Sequence, residues 1–248
     1  MTGIQLVSRS SSEALPHAEW LDDLPEGTVY GSLYAAPAGE RAAVADRFAA
    51  AGLPMHLDVI LDRDASGALV HRGIVAAELH ELGERHPDSL LEVHVIVLAG
   101  AKRAAESGSE AELRAEVSAV LSIAAAVGAQ RAALPADMAT DALLTCEFRE
   151  AGGEVWTVLE TGDAPAILPA SGIDGALVML IEPGTRESAR PELLDRIPNL
   201  APSVQVSVDG GVNAAIARHA IALGAHHVIV GRALLGPEQP EAVRGEQP

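Results

Sequence analysis

The chain has 248 residues, 48% of them hydrophobic but only 2% aromatic, so it suits one large domain whose core is packed from Ala, Val, Leu and Ile. With 35 Asp and Glu against 17 Lys and Arg, its formal charge of −18 repels nucleic-acid phosphates and anionic lipid and argues against both as partners. The single Cys146 excludes an intramolecular disulfide and fits a reducing cytoplasm; no apolar run approaches the ~18 residues of a membrane span, and the N-terminus lacks the basic-then-apolar pattern of a signal peptide. A cytoplasmic protein is the expectation, with self-association into a homo-oligomer left open.

Residues 1–27 are polar and irregular, with a Ser10-Ser11-Ser12 run, and read as an N-terminal extension to a domain over 28–248. From there short β-branched runs alternate with alanine-rich stretches of helical period. The first strand is expected over Val29 to Ala35, followed by a helix from about Glu40 to Ala51. Met55 to Leu61 reads as the second strand, with a helix around Ile74 to Arg85, and Leu91 to Leu98 as the third, with a helix from about Glu110 to Val127. Arg131 to Leu134 and Val155 to Leu159 flank a helix around Ala142 to Glu150. Ala176 to Ile181, Val204 to Val208 and His227 to Val230 complete the strands, with helices near Pro191 to Ile197 and Asn213 to Leu223 between them. The Pro- and Glu-rich stretch after Gly236 leaves the last helix short or missing. Eight strands alternating with helices predict an α/β fold with a parallel sheet closed into a (β/α)8 barrel, a doubly wound open sheet being the rival.

Residues two apart on a strand share a face. His56 and Asp58 therefore point together, as do Glu92 and His94, and Ser207 and Asp209, each set alternating with apolar neighbours. If those faces turn inward, two imidazoles and two carboxylates meet near the C-terminal mouth, where barrel active sites lie. A lone strand histidine is more often a hydrogen-bonded core residue. Three strands delivering such groups at one level are more specific, and His56, Asp58, His94 and Asp209 form a ligand set suited to Zn²⁺, or to Fe²⁺, Mn²⁺ or Co²⁺. Asp209 also reads as a turn residue before two glycines. Glu92 is placed either as an acceptor that orients His94 or as a plain buried polar contact.

These residues carry a resemblance to the ribulose-phosphate 3-epimerase family. Met55-His56-Leu57-Asp58-Val59 is similar to its His-x-Asp strand, and Leu91-Glu92-Val93-His94-Val95 to its Leu-Asp-Val-His-Leu strand. Asp174-Gly175-Ala176-Leu177-Val178-Met179, then Glu182-Pro183-Gly184, resembles its sixth strand and Asn-Pro-Gly turn; Val208-Asp209-Gly210-Gly211-Val212 resembles its Val-Asp-Gly-Gly-Val turn. Gly224-Ala225 and Val230-Gly231 are similar to its ending, and Gly31-Ser32-Leu33 to its first strand, where a serine contacts substrate. The similarity runs in order from about Val29 to Leu235.

The resemblance implies a TIM barrel of the ribulose-phosphate-binding type and a divalent-metal-dependent isomerase of carbohydrate metabolism. Its reaction is epimerisation beside the carbonyl of a ketose phosphate such as the pentose phosphates. Asp58 and Asp209 are implied as the acid/base pair, and all four metal ligands have counterparts. Ser32 is implied as a substrate contact, and backbone donors at Gly210, Gly211 and Gly231 as the phosphate site, although these glycines also serve tight turns. The chain departs from the family where Thr185-Arg186-Glu187-Ser188 replaces a glycine-rich loop, where Arg232 follows Gly231 in place of a serine, where Val59 to Arg63 lack the usual Met-Asp-Gly, and where Ile60 and Ile96 replace methionines. Arg232 or Arg186 could grip a phosphate as a fork, or each could be an ordinary surface arginine. An unphosphorylated ketose and a non-catalytic sugar-phosphate-binding or regulatory role are the alternatives. A Schiff-base aldolase needs a buried lysine, and the one lysine is Lys102 in a polar stretch; Ile60 and Arg63 break the Asp-x-Lys-x-x-Asp motif of related decarboxylases.

Overall fold

The structure, a computed structural model, describes residues 15, 19–104, 110–163, 172–185 and 187–236. Arg186 and most of the expected N-terminal extension lie outside the described residues. Among those described there are nine strands: β1 (Val29–Ser32), β2 (Met55–Arg63), β3 (Leu69–His71), β4 (Leu91–Val97), β5 (Arg131–Pro135), β6 (Glu154–Leu159), β7 (Gly175–Met179), β8 (Gln205–Asp209) and β9 (His227–Val230). All except β3 are parallel to their neighbours, in the order β1-β9-β8-β7-β6-β5-β4-β2, and β1 also pairs with β2 through Gly31 and Met55, which closes the barrel. That pairing removes the open-sheet alternative.

Helices α1 (Arg41–Ala50), α2 (Ala76–Arg85), α3 (Ala99–Ala104), α4 (Glu110–Ala126), α5 (Ala136–Ala139), α6 (Ala142–Glu150), α7 (Ile197–Leu200), α8 (Ala214–Ala222) and α9 (Arg232–Leu235) link the strands. Asp141 caps α6 by accepting from the backbone N–H groups of Leu143 and Leu144, and Asn213 caps α8 in the same way from Ala215 and Ile216. Between β7 and β8, where a helix was expected from Pro191 to Ile197, the chain forms a 3₁₀ turn over Pro191–Arg196 and then only the short α7. Pro191 and Pro198 each remove a backbone donor, which favours such short pieces. No helix among the described residues is long and apolar enough to cross a membrane.

The ends of the first two strands differ from expectation. The first strand ends at Ser32, because Leu33–Ala35 curl into a 3₁₀ turn closed by Ala36 N–H to the Leu33 carbonyl. The second continues to Arg63 and folds back through β3, which pairs antiparallel with it (Leu61 opposite His71). Asp64 organises that reversal by accepting from the backbone of Ser66 and Ala68, 2.8 and 3.1 Å away. Three half-buried residues carry too short an alternation to read as a strand.

Alternation divides the core. Outward positions such as Leu57, Val59, Val93, Val95, Val178, Val206 and Val228 join the buried layer between barrel and helices, which also takes in Phe48 and Phe148. Leu15, Trp20, Leu21 and Leu24 pack on this layer. Inward positions supply a smaller apolar group of Tyr30, Ala133, Trp156, Val158, Leu177, Met179 and Ile229. Polar Ser32, His56, Asp58, Glu92, His94 and Ser207 are buried as well. Phe48 is wholly buried and sits where a Cβ on Gly31 would fall 2.4 Å from its ring. Phe48→Ala is expected to cost about 3–5 kcal/mol in denaturant unfolding, whereas Leu143→Ser, at a side chain 90% exposed on α6, should stay within about 0.5 kcal/mol of the parent.

Candidate metal and active site

Register between neighbouring strands assembles the site. Along β2 and β4, His56 lies beside Glu92 and Asp58 beside His94, so two inward pairs stack along the same seam. Asp209 ends β8, opposite Met179 of β7, and turns toward them from across the interior. The chain then reverses through Gly210 at φ +102°, where a Cβ would lie 2.9 Å from the Ile181 nitrogen, so this position accepts only glycine without rearrangement.

One oxygen of Asp58, Oδ1, accepts from His56 Nε2 and from His94 Nδ1, each at 3.1 Å. Its other oxygen, Oδ2, accepts from the Ser32 hydroxyl at 3.2 Å. Asp209 places Oδ2 at 3.8 Å from His56 Nε2 and 3.9 Å from His94 Nδ1, while its Oδ1 accepts from the Gly210 N–H at 2.6 Å. The two imidazole centroids are 5.3 Å apart. Each of the four residues thus offers a ligand atom, all within 4.8 Å of one another. Two nitrogens and two carboxylate oxygens that converge in this way fit a divalent transition metal in size, charge and donor type. Three of the four are buried and Asp209 is half-buried, so a cation among them would match carboxylate charge that water reaches poorly.

Electrostatics set by the protein's own groups drive the two carboxylates apart. Burial opposes the charge on Asp58, but His56 and His94 outweigh it and hold that carboxyl well below the usual range. Burial raises Asp209 to about 6; the charge of Asp58 adds to the rise, and the two histidines and the Gly210 N–H offset part of it. Burial also works against a charged His56, yet Asp58, Glu92 and Asp209 together lift it well above the ordinary histidine value.

Above these groups opens a cavity of about 400 Å³ lined by Ser32, Asp58, Asp209, Gly210, Gly211, Gly231 and Arg232, among others. His56 and His94 are buried and are not among its lining residues. Every residue expected to bind substrate therefore faces one space with the two aspartates. Ile96 lines it too, while Ile60 is buried and does not. Tyr34, Met179, Thr185 and Asn213 also line the cavity. They were not legible as site residues, since single polar or apolar side chains after a strand carry no pattern. Glu92 meets His56, not His94: its Oε1 accepts from His56 Nδ1 at 2.7 Å, because parallel register sets those two residues side by side. Lys102 pairs with Glu160 at 2.5 Å and does not line the cavity, which leaves Schiff-base chemistry without its amine.

Removing an imidazole from the cluster tests its metal capacity. After chelation and reloading, the parent protein should hold about one divalent transition metal per chain by elemental analysis. His94→Ala should lose most of it, and full metal content in both His56→Ala and His94→Ala would rule out this centre.

No protein-family model and no curated protein matches the sequence. Among solved structures, the chain is similar to the tryptophan synthase complex of Pyrococcus furiosus (16% identity, 84% of this chain and 88% of that one, TM-score 0.55) and to Mycobacterium tuberculosis tryptophan synthase (16%, 90% and 90%, 0.52). It is also similar to KGPDC from Streptococcus mutans (15%, 84% and 89%, 0.50). At such identities the likeness is one of architecture, and with the closed strand order it establishes that the chain is a (β/α)8 TIM barrel.

Proposed function

We propose that this protein is an enzyme, a metal-dependent epimerase acting at the carbon next to the carbonyl of a ketose phosphate. The observation that carries the reading is that two carboxylates, from strands with β1 and β9 between them, reach one cavity above two buried imidazoles. Epimerisation needs a group on each face of the reacting carbon, one to take its proton and one to return a proton from the other side.

The carboxylates divide their oxygens accordingly. Asp58 turns Oδ1 to the imidazoles and leaves Oδ2 on the Ser32 hydroxyl, a donor that can rotate away. Asp209 turns Oδ2 to the imidazoles and keeps Oδ1 on the Gly210 N–H. Asp58 Oδ2 and Asp209 Oδ1 are therefore the proton-moving atoms. Abstraction at one carboxylate gives the enediolate and delivery from the other inverts the centre. A divalent metal held by His56, Asp58, His94 and Asp209 would supply electrostatic stabilisation to the negative charge that develops at the carbonyl oxygen. Ile96, Met179 and Ile229 give the cavity an apolar wall, which lowers the local dielectric around such a charge in this reading.

A phosphate dianion entering a chain of formal charge −18 needs local positive charge, and Arg232 lines the cavity immediately after Gly231. Its guanidinium, with backbone donors at Gly211 and Gly231, forms the phosphate grip in this reading. One observation favours a second reading, an unphosphorylated ketose: the Gly210 N–H is already engaged by Asp209.

Two measurements test the proposal. Asp58→Asn and Asp209→Asn should each lower turnover by about 10²–10⁴-fold, read as loss of the epimeric product; full turnover in either would show that another group moves the proton. Arg232→Ala should raise KM for the phosphorylated substrate by about tenfold or more, the scale of a lost charge-assisted contact, and leave KM for the free sugar nearly unchanged. A parent enzyme that prefers the free sugar, with Arg232→Ala indifferent to both, would transfer the reading to the unphosphorylated ketose.

A further inference from the structure

Beneath the four-residue centre, the N-terminal end of the barrel holds a second polar assembly that the proposed reaction does not use. Arg131, the first residue of β5, donates from Nη1 to the Tyr30 hydroxyl at 2.6 Å and from Nε to Glu154 Oε2 at 3.1 Å. Its guanidinium carbon lies 4.7 Å from the Trp156 ring centroid and 5.5 Å from that of Tyr30, a sandwich that fixes the cation in place. His227 Nδ1 is 3.3 Å from the same Nη1; burial and this neighbouring charge lower the His227 pKa to about 4.

Glu92 stands between this floor and the site above. It is 1% exposed, its Oε1 accepts from His56 Nδ1 at 2.7 Å, and its Oε2 is buried without a hydrogen-bond partner, 3.8 Å from Arg131 Nη1. An ionised carboxylate only accepts, so the His56 proton facing it must sit on Nδ1. The ring's other nitrogen, Nε2, then points at Asp58 and Asp209. Charge follows the same division. Arg131, shared with Glu154, faces Glu92 Oε2 at 3.8 Å, and a divalent cation above would match Asp58 and Asp209.

We propose that Glu92, backed by Arg131, is a positioning residue that locks His56 with Nδ1–H toward the barrel floor and Nε2 toward the site, and so sets the affinity of the centre for metal. This rests on the metal reading of that same centre.

Calorimetric titration of Zn²⁺ or Mn²⁺ into chelator-stripped protein tests it. Glu92→Ala should bind about 10–100-fold more weakly than the parent. Glu92→Gln should lose less, since its amide oxygen can still accept from Nδ1–H, and Arg131→Met, which leaves Glu92 in place but unmatched, should alter affinity without touching any ligand. ¹H–¹⁵N NMR of the imidazoles supplies a readout that a merely structural role would not move: metal-loaded parent should show a slowly exchanging His56 Nδ1–H held by Glu92, and in Glu92→Ala that proton should exchange rapidly with solvent while the His94 ring signal is unchanged. Circular dichroism of the metal-free variants identifies any that fail to fold, and Glu92→Gln, the least disruptive change, then decides. Parent binding with Glu92→Gln and Glu92→Ala both folded and within twofold of it would overturn the inference alone. A parent that binds no metal would overturn the centre itself and the inference with it.

Discussion

Everything in this molecule follows from side-chain alternation along strands that close on themselves. Once β1 pairs with both β2 and β9, every second residue of eight parallel strands is committed to an interior that water cannot freely enter. Polar groups placed there must satisfy one another or hold something that satisfies them. The chain answers by layering: apolar Tyr30, Trp156, Val158, Leu177, Met179 and Ile229 fill space, and the ionisable residues are concentrated in two connected groups, Arg131 with Glu92 below and the His/Asp centre above.

The upper group was legible in the sequence because it depends on local periodicity. His56 with Asp58, and Glu92 with His94, are two apart on single strands, and Asp209 ends a third before a glycine pair that forces a turn. The lower group was not legible, since it depends on which distant strands become neighbours. Arg131 meets Tyr30 across 101 positions of sequence and His227 across 96. The same reason hid the true partner of Glu92: the choice between His56 and His94 is made by the register of β2 against β4, which neither strand encodes alone. The hairpin through β3 escaped because a three-residue strand has almost no pattern to detect.

Charge on the outside is arranged differently from charge within. Arginines on the helical shell are tied to acids, as in Arg85 with Asp46, Arg149 with Asp174 and Arg218 with Asp23. Such exposed pairs contribute little to stability, about 1 kcal/mol or less each. Each such pair offsets one positive charge at the surface, whereas Arg232 lies in the cavity lining of a chain whose formal charge is −18.

The packed floor of Arg131, Tyr30, Trp156 and His227 makes the barrel a vessel with its base stopped. In the proposed reading, what arrives and what leaves share one cavity, lined among the described residues by Tyr34, Thr185 and Arg232. In a shared cavity the lining residues govern departure as much as arrival. A change at the rim that tightens the hold on an incoming molecule also lengthens the stay of the outgoing one, so rim chemistry and turnover cannot be tuned independently.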